Sequence, residues 1–149
     1  MLAKVTAIEQ RRHARPEERV RVLAEVAGAD ATIVYVCIDK KDPNGPFARG
    51  NELYRMVLEG LMRDTMKASP CMDLRIVVDK SWFIDKNRLT EMAENLSKEL
   101  NRNVKSCNKV SSDRCVRIAD YVVGSIWARY ERENDEYFDM ARGRISVAR

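Results

Sequence analysis

Two apolar segments that end in the same Asp-Lys pair most constrain how this chain can fold. Residues 35–40 read YVCIDK and residues 75–80 read RIVVDK. Both are rich in β-branched residues, which is typical of buried strands. Amphipathic stretches with helical periodicity lie before, between and after them. Because strands that alternate with helices favour a parallel or mixed sheet, the sequence predicts one α/β domain over residues 1–149.

The predicted elements alternate along the chain. Helices are expected over residues 16–28, 51–66, 85–100, 113–132 and 136–145, and strands over residues 31–38, 73–79 and 103–110. Proline in the first turn and a following glycine mark the limits of the first helix, at Pro16 and Gly28. Asp85 is predicted to cap the third helix. The strand over residues 31–38 is expected to be buried on both faces and to hold Cys37 as a small hydrophobic residue.

Apolar residues at three- and four-residue steps predict which helix faces are buried. The predicted core positions are Val20, Leu23, Ala24 and Ala27 in the first helix; Leu53, Met56, Val57, Gly60 and Leu61, with Tyr54 as a further candidate, in the second; Leu89, Met92, Ala93, Leu96 and Leu100 in the third; and Cys115, Ile118, Ala119, Val122, Ile126 and Tyr130 in the fourth.

The composition is that of a globular protein, with 45% hydrophobic and 34% charged residues. No apolar run approaches the roughly 20 residues that a membrane span needs. The first residues, MLAKVTAIEQRRH, contain no apolar segment like that of a signal peptide. We therefore expect a cytoplasmic protein without contact to a membrane.

A net charge of +4 permits contact with nucleic acid without requiring it. Arginines are frequent near both ends of the chain, over residues 11–21 and 129–149. Two interpretations are open: two solvated helix faces, which ordinary charged surfaces favour, or a surface that binds a polyanion. The single histidine, His13, has no histidine or cysteine near it in sequence, and the four cysteines show no C-x-x-C spacing, so neither a zinc site nor a cysteine nucleophile is predicted.

Asp120 is placed unusually in the fourth helix. At 100° per residue it falls just outside the apolar arc, with Arg117 and Gly124 as neighbours on the helix surface. One interpretation is a boundary carboxylate that pairs with Arg117 or caps a neighbouring element. The other is a ligand for a metal ion or phosphate, with Gly124 leaving room for close approach.

Two further carboxylates follow the predicted strands. Asp39 and Asp79 come at the carboxyl ends, where ligand crevices lie in open α/β sheets. Any charged residue can end a buried strand, so each aspartate alone has a structural explanation. Together with Asp120 they suggest oxygen ligands for Mg²⁺ or Mn²⁺.

The order of these motifs resembles domain-of-unknown-function family 3800. The resemblance runs from about Lys4 to Arg149 and is most specific at Ile118-Ala119-Asp120 through Gly124, then at Arg129-Tyr130-Glu131 and Tyr137-Phe138. It implies a ribonuclease-H-like fold, a mixed sheet flanked by helices, in which acidic side chains hold divalent metal for phosphodiester chemistry. The implied metal ligands and catalytic residues are Asp79 and Asp120, with Asp39 as a weaker transfer.

The chain departs from the family pattern in two places. The Asp-Glu-Ser-Gly strand with which family members usually begin is absent, and Val116 and Arg117 stand where a glutamine is usual. We expect the chain to begin after that strand, with the sheet truncated or completed by a second copy, because a lost strand exposes unpaired backbone. The sequence thus predicts a homodimer.

Two functions are consistent with these residues. The first is that of a metal-dependent nuclease relative with impaired catalysis, in which Asp79 and Asp120 bind metal and Lys80 or Arg117 steadies phosphate. The second is a non-catalytic module that binds nucleic acid or a protein through its arginine-rich helices. The missing acidic motif favours the second.

Overall fold

The computed structural model describes residues 15–38, 41–45, 49–78, 84–109 and 114–148. Within these ranges the helices are α1 (Pro16–Gly28), α2 (Gly50–Ala68), α3 (Lys86–Leu100), α4 (Arg114–Arg132) and α5 (Glu136–Ala141). The strands are β1 (Ile33–Tyr35), β2 (Asp73–Val78), β3 (Asn103–Lys109) and β4 (Ile145–Ala148), and a 3₁₀ turn, Arg142–Arg144, joins α5 to β4. The predicted α/β class is confirmed.

The described strands form two parallel ladders. β1 pairs with β4, and β2 pairs with β3 from Asp73 opposite Asn103 to Val78 opposite Lys109. Parallel neighbours need a long crossover, which α3 provides between β2 and β3. None of the described helices is long and apolar enough to cross a membrane.

The larger core lies where α2 and α3 cover one face of β2 and β3. Because side chains alternate along a strand, Leu74, Ile76 and Val78 point to the same face, and each is at most 2% exposed. The helices add apolar residues that are also buried in this cluster: Leu58, Leu61, Met62, Met66, Leu89, Ala93 and Leu96. The β2–β3 ladder is therefore anchored by the helix that precedes β2 and by the helix that connects β2 to β3.

Helix α3 follows its sequence signals closely. The Asp85 side chain accepts a hydrogen bond of 2.8 Å from the Arg88 backbone N–H, which is the predicted N-cap. Leu89, Ala93 and Leu96 are at most 1% exposed, as their spacing predicts. The helix ends at Asn101, whose φ of 53° lies in the left-handed region.

A smaller core joins β1 to α4 and α5. It consists of Tyr35, Ile126 and Phe138, with Ile145 packed against it. Val34, the residue before Tyr35, packs instead against the larger core. Successive side chains of a strand point to opposite faces, so β1 contributes to both cores.

Some predicted core positions are wrong. Val20 is 40% exposed and Ala24 is exposed, whereas Val22 and Val26 are buried beside Leu23. α1 packs against both α4 and α5, and these two neighbours bury a face rotated from the one that periodicity predicted. α5 is also attached to α1 by the Arg19 guanidinium, which lies 4.9 Å from the centre of the Tyr137 ring.

The predicted core positions of α2 also differ from those in the structure. Met56, predicted to point inward, is 55% exposed, whereas Leu53 and Leu61 are buried as expected. Met62 and Met66, which were not among the predicted core positions, are at most 2% exposed. Periodicity placed the apolar face of α2 about one position away from the side that α3 and β2 cover.

The ends of the first strand and the last helix also differ from prediction. β1 covers Ile33–Tyr35 rather than residues 31–38, and Cys37 is exposed rather than buried. The last helix stops at Ala141, because Ile145 and Val147 pair with Ile33 and Val34 of β1. Strand pairing between residues more than 100 positions apart thus overrides the local helical pattern.

Candidate functional site

Asp120 lies on the buried face of α4. Asp120 is only 9% exposed, and Val116, one turn earlier, is 2% exposed. The sequence placed Asp120 just outside the apolar arc, so its burial is a correction. A buried carboxylate is costly unless other groups or an ion compensate it, which makes this position either a structural polar contact or a ligand.

Arg117, one turn before Asp120, is exposed. It forms no ion pair with any residue that the structure describes. The pairing of Arg117 with Asp120 that the structural interpretation expected is therefore not formed. Arg117 is available to an anion in solvent, as the predicted phosphate contact requires.

Gly124 lies one turn after Asp120 on α4. A Cβ atom at Gly124 would meet no atom of another element within 4 Å. The space that the sequence suggested beside Asp120 is therefore present. Open space therefore lies one turn from the Asp120 carboxylate, and the binding of a divalent cation there stays a prediction.

The other predicted ligands lie outside the described residues: Asp79 and Lys80, which follow β2, and Asp39, which follows β1. β2 is described up to Val78, which is 0% exposed, so Asp79 follows a fully buried strand end. Among the described residues, no group of three or more His, Cys, Asp or Glu side chains could hold a metal ion. The convergence of Asp79 with Asp120 stays a prediction.

A hydrogen bond between two tyrosines links α4 to β1, the strand that precedes Asp39. The Tyr35 and Tyr130 hydroxyl oxygens are 3.1 Å apart, and Tyr35 is the last residue of β1. Asp39 is four residues beyond this contact, while Asp120 precedes it by ten residues, or about 15 Å of helix. The sequence had placed Tyr130 in the core, but it is 49% exposed, and its hydroxyl reaches inward to Tyr35.

The environment of this pair is aromatic and cationic. Burial, and then the hydrogen bond to Tyr130, raise the pKa of Tyr35 to about 12. The Tyr35 ring meets Phe138 edge-on, with ring centres 6.3 Å apart, and the Arg129 guanidinium lies 4.1 Å from the centre of the Phe138 ring. These contacts position α4 and α5 against β1, and the burial of Tyr35 makes its hydroxyl harder to ionise than that of an exposed tyrosine.

The arginines at the end of α4 and in the 3₁₀ turn after α5 are largely engaged within the molecule. Arg129 is 3.5 Å from Asp135, Arg142 pairs with Asp139, and Arg144 donates to the Ala27 carbonyl oxygen at 2.9 Å. Residues 129–144 contain four arginines and five acidic residues. The arginine-rich end is therefore not a basic surface, and the interpretation as ordinary paired and solvated helix faces fits it better.

Two exposed cations lie on the β2–β3 ladder. Arg75 is exposed between buried Leu74 and Ile76, so it points away from the larger core. The register shifts after Leu74, and Arg75 stands opposite Ser106, which leaves Lys105 as an extra residue in β3. This β-bulge places a second exposed cation beside Arg75.

Neither cation has an ion-pair partner in the part of the chain that the structure describes. Arg75 and Lys105 form no ion pair with a residue in the described ranges. Residues 102–117, which include β3 and the start of α4, contain five basic residues and one acidic residue. Sequence reasoning missed this surface because it counted arginines at the two ends of the chain, although the excess of charge over residues 102–117 was visible.

No protein-family model, curated protein or solved structure matches this chain. The resemblance to family 3800 therefore rests on the motifs of the sequence alone.

Proposed function

We propose that this chain is a ribonuclease-H-like α/β domain that binds nucleic acid without cleaving it. Its phosphate contacts are Arg75 and Lys105 on the β2–β3 ladder and Arg117 on α4. The resemblance to family 3800 supports the fold, and the parallel ladders with flanking helices are compatible with it.

The observation that carries the proposal is the neighbouring position of Arg75 and Lys105. Like charges on adjacent strands repel, so this arrangement costs stability in the free protein. The bulge brings the second cation to this place, and no described acidic side chain pairs with either residue. The negative charges of a phosphate backbone would relieve this repulsion. Binding would also be favoured because each neutralised phosphate releases condensed counterions.

A salt series tests this binding. Fluorescence anisotropy with labelled duplex DNA and single-stranded RNA would give affinities for the full chain at several salt concentrations. We expect the logarithm of the affinity to fall linearly with the logarithm of salt concentration, and each substitution Arg75→Ala, Lys105→Ala or Arg117→Ala to reduce the slope by about 0.9 on duplex DNA or about 0.7 on single strands.

The matched controls are Arg88→Ala and Lys98→Ala, two exposed cations on α3. They should leave both slope and affinity unchanged. Equal effects of all five substitutions would mean that only net charge matters, and an affinity independent of salt would point to a protein partner instead. Either result would reject the proposed surface.

A second candidate is a divalent-metal-dependent phosphodiesterase, which the buried Asp120 beside open space at Gly124 favours. Asp120 and Asp79, with Asp39, would hold Mg²⁺ or Mn²⁺, and Lys80 and Arg117 would steady the phosphate. The bound ion would activate water and stabilise the leaving oxygen.

Two measurements distinguish these candidates. The first is isothermal titration calorimetry with Mg²⁺ or Mn²⁺, and the second is a nuclease assay with the same ions. Heat of binding that disappears in Asp120→Asn and in Asp79→Asn supports the second candidate, and cleavage that disappears in the same variants establishes it. If neither variant changes metal binding, cleavage or nucleic-acid affinity, the inherited ion site is rejected.

We also propose that the chain forms a homodimer. In the described part of the chain each ladder has two strands, so backbone groups along their outer edges are open to a further strand. Light scattering at high micromolar concentration should give twice the mass of one chain. A monomeric mass under those conditions would contradict this proposal.

A further inference from the structure

Met72 combines exposure to solvent with a fixed hydrogen bond to its sulfur. It lies between α2 and β2 and is 52% exposed. The Arg102 guanidinium donates from Nη1 to the Met72 sulfur at 3.1 Å. A thioether is a weak acceptor, so a guanidinium held this close to it is an uncommon environment for an exposed methionine.

The guanidinium of Arg102 has a second hydrogen-bond acceptor, and the Met72 backbone is bonded to the start of β3. Arg102 also donates from Nη2 to the Ser69 carbonyl oxygen at 3.3 Å. The Met72 carbonyl oxygen accepts a bond of 2.7 Å from the Asn103 backbone N–H, at the start of the β2–β3 ladder. The guanidinium therefore stays on one side of the sulfur while the side chain remains accessible to solvent.

We propose that Met72 is a site of stereoselective oxidation by hydroperoxides, in which Arg102 decides which face of the sulfur reacts. A thioether sulfur has two lone pairs, and the Arg102 N–H occupies one of them. The other lone pair attacks the terminal peroxide oxygen. A sulfur–oxygen bond forms and the oxygen–oxygen bond breaks. The leaving oxygen takes up a proton as water or alcohol, so the sulfur is oxidised by two electrons and the peroxide is reduced.

The product is a chiral sulfoxide, and blocking one lone pair leaves one epimer as the main product. The sulfoxide oxygen accepts hydrogen bonds more strongly than the thioether does. This oxygen is added on the side of the sulfur away from Arg102, and the bond from Arg102 to the Ser69 carbonyl oxygen does not depend on the oxidation state of the sulfur.

The chain contains a matched internal control. Met56 is 55% exposed, nearly the same as Met72, and no described residue donates a hydrogen bond to its sulfur. The full-length folded chain would be treated with dilute hydrogen peroxide and quenched. It would then be incubated with each of two methionine sulfoxide reductases that act on opposite epimers. Peptide mass spectrometry would report the sulfoxide remaining at each position.

We expect one reductase to remove most of the sulfoxide at Met72, with a several-fold excess of one epimer, while the sulfoxide at Met56 is shared about equally. In Arg102→Ala the selectivity at Met72 should disappear. Circular dichroism would show whether that variant folds, but the comparison of Met72 with Met56 in the unmodified chain already decides the matter. Equal epimers at Met72 in the unmodified chain, or the same excess at Met56, would overturn the proposal.

Discussion

The hydroxyl oxygens of Tyr35 and Tyr130 lie 3.1 Å apart and join the last residue of β1 to the C-terminal half of α4. The two residues are 95 positions apart in sequence and differ in exposure, Tyr35 being 7% and Tyr130 49% exposed. A hydrogen bond with one buried partner is expensive to lose, because the buried group then has no access to water. This contact is therefore a sensitive test of how α4 is held against the sheet.

Removing the outer hydroxyl should destabilise the fold. Tyr130→Phe leaves the Tyr35 hydroxyl buried without that partner, and we expect the free energy of unfolding to fall by about 1–3 kcal/mol. Urea denaturation followed by circular dichroism would measure it. Tyr137→Phe is the control, since it keeps the ring that Arg19 contacts and should change stability by less than about 0.5 kcal/mol. Equal losses in the two variants would contradict a special role for the Tyr35–Tyr130 bond.

Alkaline pH should lower the free energy of unfolding through the ionisation of Tyr35. The pKa of Tyr35 is raised to about 12, chiefly by burial and then by the hydrogen bond to Tyr130, so the folded state holds the phenol proton more tightly than the unfolded state. This contribution is fully present below the ordinary tyrosine pKa of about 10 and is lost as the pH rises towards 12.

Denaturation at a series of alkaline pH values, with tyrosinate absorbance as a second signal, would measure this loss. The dependence on pH should be smaller in Tyr35→Phe than in the unmodified chain. An unchanged dependence in that variant would assign the effect to other groups.

The Phe138 ring should contribute more than its apolar volume. It lies 4.1 Å from the Arg129 guanidinium and 5.4 Å from that of Arg142, and it meets Tyr35 edge-on. Phe138→Leu keeps a large apolar side chain but removes two cation–π contacts and one aromatic pair. Each of these is worth about 0.5–1.5 kcal/mol.

We therefore expect a loss of about 2 kcal/mol in Phe138→Leu, measured by urea denaturation. Tyr137→Leu, which removes the single guanidinium contact from Arg19, should lose about half as much. The importance of the aromatic contacts would be refuted by a Phe138→Leu variant as stable as the unmodified chain.

A substitution at Gly124 should change stability and ligand binding in opposite directions. A Cβ atom there would meet no atom of another element within 4 Å, so Gly124→Ala should stabilise α4 by about 0.5–1 kcal/mol in the thermal unfolding of the free protein. Gly60→Ala, in α2, has the same open surroundings and should stabilise by a similar amount.

The two variants should differ when a ligand is present. If the space beside Asp120 admits phosphate or metal, Gly124→Ala weakens that binding and Gly60→Ala does not. Unchanged binding in Gly124→Ala would show that the space beside Asp120 takes no part in it.

Sequence patterns predicted the structure correctly where the contacts are made by residues close together in the chain. Asp85 was recognised as a helix cap, and Leu89, Ala93 and Leu96 were recognised as core positions, because capping and periodicity act within a few residues. The order of the elements from α1 to α5 was predictable for the same reason. Since the apolar pattern in Asp73–Val78 has the length of a strand and is bounded by turn residues, β2 was also found in place.

The candidate site was less accessible to sequence reasoning. Asp120 and Arg117 were singled out by their helical positions, but the burial of one and the exposure of the other depend on what packs against α4. The pairing of Arg142 with Asp139 has a helical spacing of three residues and could have been anticipated from charge spacing. The pairing of Arg129 with Asp135 could not, because it crosses the connection between α4 and α5. The adjacency of Arg75 and Lys105 could not, because it depends on the register of two strands and on a bulge between them.

The sequence by itself determined that this is an α/β chain and where most of its helices begin and end, because caps, prolines and periodicity act through neighbouring residues. Only the tertiary structure decided that residues 145–148 form a strand beside β1 and that Asp120 is buried. It also decided that Arg75 and Lys105 are neighbouring exposed cations on β2 and β3. These features depend on contacts between residues far apart in the chain, where packing and strand register override the preference of any single segment.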